Sequence, residues 1–568
     1  MSSGFPWVTV VGAIPLLGAI AVALLPRERE DSARILAMFA SLATFVASVG
    51  MAIDFKVHGS HFQFTQDYDW IKAFGAHYAV GADGIALVLI LMTTVLTPIC
   101  ILASWHDADR PRFLPGEDDD GALEEASRGH GPRLFFALLL ATETLVIGVF
   151  GSLDVFFFYV LFEAMLIPMY FLIGAFGGSR RSYAAVKFLL YSLAGGLLML
   201  VAVIGLYVTS IHQLGHGTFD YRILVTQLHI SHHEQIALFL GFFIAFAIKA
   251  PLWPFHTWLP DAASEAPTGT AVMLVGVLDK VGTFGFLRYC IPLFPYASKL
   301  FAPYILGLCV TGILYGALVA IGQKDMKRLV AYSSVSHFGF IALGVFAFTT
   351  QGGSGATLYM VNHGFSTGAL FLVVGFLASR RGSRMVDDFG GVSKVAPWLG
   401  AMVLIAGLSA LALPGLSTFV SEFLVLVGTF TVHRWFAVVA IAGIVLAAVY
   451  VLWMVQRTIH GPVASAVAGF RDLSLREALV IGPVIVVIVG LGIYPKPLLD
   501  AINPAVQDTN CAVRSHDPAP TVPVPGNINT NYLPTGDVTT VQGTHVTGAC
   551  SYGWFSYSPL STSGSTGQ

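Results

Sequence analysis

The stretch that decides the fold is AFAIKAPLWPFHTWLP, residues 245–260. It begins as a helix apolar enough for lipid, sets Lys249 inside the apolar run, and follows it at once with Pro251 and Pro254. Proline removes a backbone donor and ends or kinks a helix. A broken helix inside a membrane exposes unpaired backbone groups, which are tolerated only against protein or a water-filled cavity. An ammonium group beside such a break therefore reads as part of an ion path through a membrane protein.

The rest of the chain agrees with that setting. Of 568 residues, 55% are hydrophobic and 11% charged, with a mean hydropathy of +0.74. Apolar runs long enough to cross roughly 30 Å of hydrocarbon recur along most of the length. Their positions predict an all-α polytopic membrane protein with fourteen transmembrane helices, near 8–25, 34–54, 83–105, 134–150, 155–176, 186–208, 235–257, 268–290, 303–322, 329–348, 355–378, 396–428, 436–456 and 477–494. The segment 396–428 is read as one helix broken at Leu413-Pro414-Gly415. The net charge of −3 gives no case for nucleic-acid binding. The N-terminus has no charged n-region or cleavage site, so the first span is expected to be retained.

Loop charge sets the expected orientation. Twenty of the thirty Lys and Arg residues fall in odd-numbered loops; eight fall in even loops, termini and span edges. Positive loops stay in the cytoplasm, which puts both termini outside. Lys249 and Lys280 are the remaining two, and both lie inside spans. The acidic stretch GEDDDGALEEASRG in the 106–133 loop reads as a solvated cytoplasmic loop. Beyond residue 495 the sequence reads as a polar extracytoplasmic tail rich in Thr, Pro, Asn, Ser and Gly, with little to build a core. Cys511 and Cys550 lie in it, on the oxidising side, and are expected to be joined. Cys100, Cys290 and Cys309 belong to spans as small apolar residues.

Ionised side chains at mid-bilayer cost at least roughly 2.5–3.5 kcal/mol each, and this chain has few. They are Glu143, Glu163, Lys249, Lys280 with Asp279 beside it, and Glu422, joined by the titratable His337 and His363. A set on separate helices reads as a relay of protonatable sites. A movable acid–lysine pair is a proton switch, since proximity holds the amine protonated and separation lets burial drive the proton off; Glu163 is the candidate partner of Lys249. Glu422 follows the break at Pro414-Gly415 as Lys249 precedes the break at Pro251, and paired broken helices point to an ion path. Spans within 134–290 and 303–456 then form two five-helix repeats, flanked by 1–133, by 477–494 and by the tail 495–568. His337, one turn after Ser333, and His363 are the groups available to bridge towards Glu422. No cysteine cluster of iron–sulfur spacing and no phosphate-cradling glycine loop is present.

The segments FEAMLIPMYFLIGAFGG, AFAIKAPLWPFHTWLPDAASEAPT, LVGVLDKVGTFGFLRY, QKDMKRLVAYSSVSHFGF and LPGLSTFVSEFLVLVGTF resemble a known family. They are similar to the antiporter-like M-type subunits of bacterial NADH:quinone oxidoreductase, respiratory complex I (subunit 4 in mitochondria), relatives of the Mrp antiporters. The likeness covers roughly residues 80–460. It implies two inverted five-helix repeats and a proton-translocating role in an oxidoreductase of the translocase class. It implies that Glu163 and Lys249 are the glutamate–lysine pair, Lys280 the central lysine, His337 and His363 the bridging histidines, Glu422 the terminal group and Glu143 an acid on the preceding helix. Asp279 is not part of that pattern. No cofactor is expected in this chain; FMN, iron–sulfur clusters and quinone are expected in partner subunits, with antiporter-like L and N subunits on either side, in the bacterial plasma membrane. The rival readings are an Mrp-type cation/proton antiporter subunit, or a structural membrane subunit whose buried charges only fix helix register.

Overall fold

The computed structural model describes residues 4–26, 29–108 and 131–513. It is a bundle of apolar helices. Two run from the N-terminus, α1 (Trp7–Leu24) and α2 (Glu30–Asp54), followed by α3 (Gly84–Ala103), α4 (Pro132–Gly151), α5 (Val155–Phe176) and α6 (Arg181–Leu214). A short α7 (Tyr221–Gln227) precedes α8 (His232–Lys249), and a short α9 (Leu259–Glu265) precedes α10 (Thr268–Leu293). Then come α11 (Pro295–Ile321), α12 (Met326–Phe346), α13 (Thr350–Arg381), α14 (Pro397–Ala410), α15 (Ser417–Val432), α16 (Arg434–Ile459), α17 (Leu475–Ile493) and α18 (Lys496–Ala512). Twelve helices among the described residues are long and apolar enough to cross a membrane. The helix α8, and the shorter apolar pair α14 and α15, stand where the sequence placed its two interrupted spans. The most enclosed helices are α10, α12 and α13, which are buried almost throughout, while α1, α2, α6 and α16 each expose an apolar flank.

Proline placement explains the interruptions. In α8, Pro251 cannot donate to the Ala247 carbonyl four residues earlier. Leu252 N donates there instead, at 2.9 Å, and the next carbonyl, Ile248, accepts the indole N–H of Trp258 at 2.9 Å. Pro414 likewise withholds a donor from Ala410, and α14 ends there. Pro168 withholds one from Ala164, and α5 is interrupted at Met165, two residues after Glu163. The sequence did not lead us to expect that third break.

Three further features go beyond the sequence reading. The helical bundle carries an antiparallel hairpin, Gln63–Ile71 (β1) and Ala76–Ala82 (β2). It is strapped to the start of α5, where Asp154 accepts from His77 N at 2.9 Å and caps the helix through Phe157 N at 2.8 Å. Burial pushes the Asp154 carboxyl up to about 6, against the pull of those donors. The stretch after 495 is not all coreless tail. Lys496–Ala512 is a helix, and it buries Ala501, Ile502, Ala505 and Val506 against the bundle. Its Asp508 meets His61 at 2.5 Å, so this helix and the segment leading to the hairpin sit at one end of the bundle. Arg288, counted from sequence as a span edge, is buried and paired with buried Asp83 at 2.8 Å, with the rings of Phe62 and Phe284 about it. The expected Cys511–Cys550 bridge and most of the acidic loop lie outside the described residues.

At the opposite end α9 is a clamp. Asp261 pairs with Lys187 of α6 at 2.8 Å and with Arg328 of α12 at 2.7 Å. Burial alone would push the Asp261 carboxyl up, but the two cations outweigh it and hold the group below its usual range.

Candidate functional site

Apart from Glu143, the predicted site residues fall into two groups, meeting at α10. In the first, Lys249 is the last residue of α8 and is completely buried. Its Nζ has no hydrogen-bond partner among the described residues, and lies 5.4 Å from the ring centroids of both Phe162 and Phe188. Each ring face offers about 0.5–2 kcal/mol of cation–π attraction. A buried ion left unpaired costs several kcal/mol, so the rings do not make Lys249 a stabilising feature. Glu163 is half-buried and fits over α6 only because residue 196 is glycine: a Cβ there would stand 1.7 Å from Glu163 Oε1. The expected Glu163–Lys249 ion pair is not closed in this structure. The two groups interact electrostatically, but no carboxylate lies within 4.0 Å of Lys249 Nζ among the described residues. Both groups sit beside a helix interruption, Glu163 two residues before Met165 and Lys249 at the C-terminal end of α8.

The second group is in contact. Lys280 Nζ lies 2.6 Å from His363 Nδ1 and donates to the Val275 carbonyl at 2.5 Å. That carbonyl belongs to a π-helical turn, Leu274–Leu278, and such turns gather at functional sites. The His363 and His337 rings are 5.3 Å apart, nearly perpendicular. His337 also bonds the backbone carbonyl of Ala410, the group that Pro414 leaves without a donor, while its Nδ1 has no partner. Glu422 is 6% exposed on α15. The buried residues Tyr359 and Tyr450 interact electrostatically with it; the Tyr359 hydroxyl has no hydrogen-bond partner among the described residues, and the Tyr450 hydroxyl faces Ser333. Asn362 ties the two helices beside it, donating to the Ser417 carbonyl at 2.6 Å and to Ser421 Oγ at 3.3 Å.

Glu143 stands apart. It is fully buried on α4 and faces Thr97 and Cys100 of α3, with no contact to either lysine. Three groups in or beside the line escaped the sequence reading. Tyr359 is one turn before His363 on the same helical face, so its spacing could have revealed it. Tyr450 comes from α16 and had no local signal. His256, buried within the first break, has neither ring nitrogen partnered, and its ring is 5.0 Å from that of Tyr315.

The arrangement can move protons. It provides one close run, Lys280, His363 and His337, with further buried acids and bases on neighbouring helices, several with unfilled hydrogen-bonding capacity. A device for fixing helix register needs satisfied pairs, such as Arg380–Glu477, joined by two hydrogen bonds at 2.7 Å; among the described residues Lys249 and Tyr359 are not satisfied.

Residues 152–447 match the family described as NADH:quinone oxidoreductase/Mrp antiporter, TM. The chain is 51% identical over 537 residues to the NADH-quinone oxidoreductase subunit M of Mycobacterium tuberculosis, an alignment spanning 92% of this chain and 97% of that one. It is 37% identical to the subunit M of Rhodobacter capsulatus, spanning 88% and 95%. Among solved structures, a chain of respiratory complex I from Thermus thermophilus with bound NADH superposes with a TM-score of 0.78 at 31% identity, covering 89% of this chain and 99% of that one. A chain of the Mrp complex from Dietzia has a TM-score of 0.72 at 20% identity, covering 88% and 52%, which shows the shared fold alone.

Proposed function

The chain belongs to the NADH:quinone oxidoreductase/Mrp antiporter membrane family, and from that premise we propose that it is the M-type proton-translocating subunit of respiratory complex I. It is a multi-pass membrane protein and a subunit of an oxidoreductase of the translocase class. The observation that carries the reading is the contact line Lys280–His363–His337, with Lys249 unpaired before it and Glu422 after it.

The chemistry follows from the donors and acceptors. A proton on Lys280 passes to His363 Nδ1 by breaking an Nζ–H bond and forming an Nδ1–H bond. His363 then releases its Nε2 proton towards His337, and Glu422 is the last carboxyl of the line. Lys249 reloads Lys280, and Glu163 sets how firmly Lys249 holds its proton by approaching or leaving it. Electrons travel elsewhere: the flavin, the iron–sulfur clusters and the quinone site belong to partner subunits, so this chain is the driven half of the machine. The loop-charge count supports protons entering from the cytoplasm and leaving outside, with both termini outside. Glu163 and the second break, where Leu413 is 40% exposed, both reach the bundle surface. A carboxylate and irregular backbone at that depth need a protein cover, which supports antiporter-like L and N subunits as flanking neighbours.

The test is Lys249→Ala and Glu163→Ala in the assembled complex, reconstituted in liposomes. Loss of pumping together with coupled quinone reduction is expected; normal protons per NADH would refute the reading. Copurification separates the Mrp alternative: flavin and iron–sulfur subunits are expected with this chain, not membrane subunits alone.

A further inference from the structure

One buried charge has no role in that line. Asp279 is 0% exposed, and neither Oδ has a hydrogen-bond partner among the described residues. Its backbone N–H closes the π turn on the Leu274 carbonyl at 3.1 Å, so the side chain does no capping. A buried carboxylate without a donor costs several kcal/mol, and only nearby positive charge can offset that.

Two such charges are present, in different directions. Asp279 lies one turn before Gly282, on the same face of α10. That face lies on the end of α8: a Cβ at Gly282 would stand 2.5 Å from Ala250 N and 2.6 Å from the Phe246 carbonyl oxygen. The carboxylate is therefore carried beside Lys249, and it interacts electrostatically with both Lys249 and Lys280. Lys280, the next residue and about 100° further round the helix, turns the other way, to Val275 and His363. One turn of α10 thus presents an acid to the first group and a base to the second.

We propose that Asp279 is a further proton-relay residue, the carboxyl that joins Lys249 to Lys280 and so makes one line of the two groups. This rests on the proton-translocating reading above. In the transfer, a Lys249 Nζ–H bond breaks and an Asp279 Oδ–H bond forms, leaving a neutral amine and a neutral acid. After Lys280 has given a proton to His363 Nδ1, the Oδ–H bond breaks and a new Nζ–H bond forms on Lys280, restoring the carboxylate and the ammonium. No ion pair within 4.0 Å locks Asp279 to either lysine, so each transfer uses a bridging water or a change of rotamer. An acid locked to one lysine would hold the proton there; a loose one can serve both.

The experiment uses the intact complex in liposomes, with Asp279→Asn, Asp279→Leu, Asp279→Glu and, as a reference, Lys280→Ala, each checked for assembly on native gels. Protons pumped per NADH, the NADH:quinone rate and its solvent deuterium isotope effect are measured. Removing a positioned acid–base group costs about a hundredfold or more in a rate limited by that transfer. The expected result is at least about a tenfold fall in coupled rate for Asn and Leu, a larger isotope effect, and recovery of most of the rate in Asp279→Glu. Either neutral variant suffices if the other fails to assemble. Parental rate and stoichiometry in an assembled neutral variant, or a Glu variant no better than Asn, would overturn the proposal. If Lys280→Ala also pumps normally, the proton-translocating reading itself has failed; if Lys280→Ala is dead while Asp279→Asn is parental, only the role of Asp279 has.

Discussion

The two broken helices start from the same chemistry and end differently. At each, a proline strips a carbonyl of its helical donor: Pro251 at Ala247, Pro414 at Ala410. The first break is repaired by permanent donors, the amide of Leu252 and the indole of Trp258. It reaches the surface at Pro254 but buries its flanks, Pro251, Leu252, His256 and Trp258, with Lys249 buried at its edge. The second reaches the surface at Leu413, passes through Ala412 at a φ of 59°, and hands its orphan carbonyl to His337. A left-handed non-glycine residue costs about 1–2 kcal/mol. The first break is thus a fixed mount for a charge, and the second is a strained joint whose closing bond depends on a titratable ring. The difference teaches where protonation reaches the backbone: in the second half, where protonating a histidine changes what the backbone is bonded to.

The comparison can be broken in four places. The largest effect is expected from His337→Ala, which removes both a relay group and the donor to Ala410; coupled NADH:quinone turnover in the assembled complex should fall about a hundredfold. Pro414→Ala comes next. It returns an amide to compete with His337 for the Ala410 carbonyl, and a misplacement of about 1 Å can cost some hundredfold in rate, so roughly a tenfold loss with normal assembly is expected. If turnover is unchanged, the bond between ring and break is incidental. Trp258→Phe tests the fixed mount. Leaving the Ile248 carbonyl without its donor costs about 1–3 kcal/mol, to be read as a lower thermal midpoint with turnover kept at mild temperature. The smallest effect is expected from Asp261→Asn in the clamp behind the first break. The Asp261 carboxyl is depressed in the folded chain, so its contribution exists above the unfolded value near 3.9 and fades as pH falls through the lower folded value. The parent should therefore outlast the variant at neutral pH by about 1 kcal/mol, and the gap should close in acid; a gap that widens in acid has the wrong sign.

Much of this was legible in the sequence because its signals were coarse and local. Apolar runs set the helices, prolines set two breaks, and charges in oil marked Lys249, Lys280 and Glu422 on cost alone. What stayed hidden depends on three-dimensional neighbours. The interruption after Glu163 needed Pro168 to be weighed against the carbonyl four residues back. The π turn before Lys280 carries no proline and no compositional mark. Tyr450 joins Glu422 only because α16 packs beside α15, and Arg288 looked like a span edge until Asp83 appeared opposite it. The helix Lys496–Ala512 was lost in the composition of the longer polar tail, although its Ala501, Ile502, Ala505 and Val506 recur at helical spacing.

The central claim is that the two halves work in series, so that the far end of the line controls the near end. The most direct measurement is proton pumping and quinone reduction by the reconstituted complex carrying Glu422→Gln, a change of one atom type at the end of the line remote from Lys249. Both activities are expected to fall together, with the complex intact. Undiminished pumping at the parental ratio of protons to NADH would contradict the account.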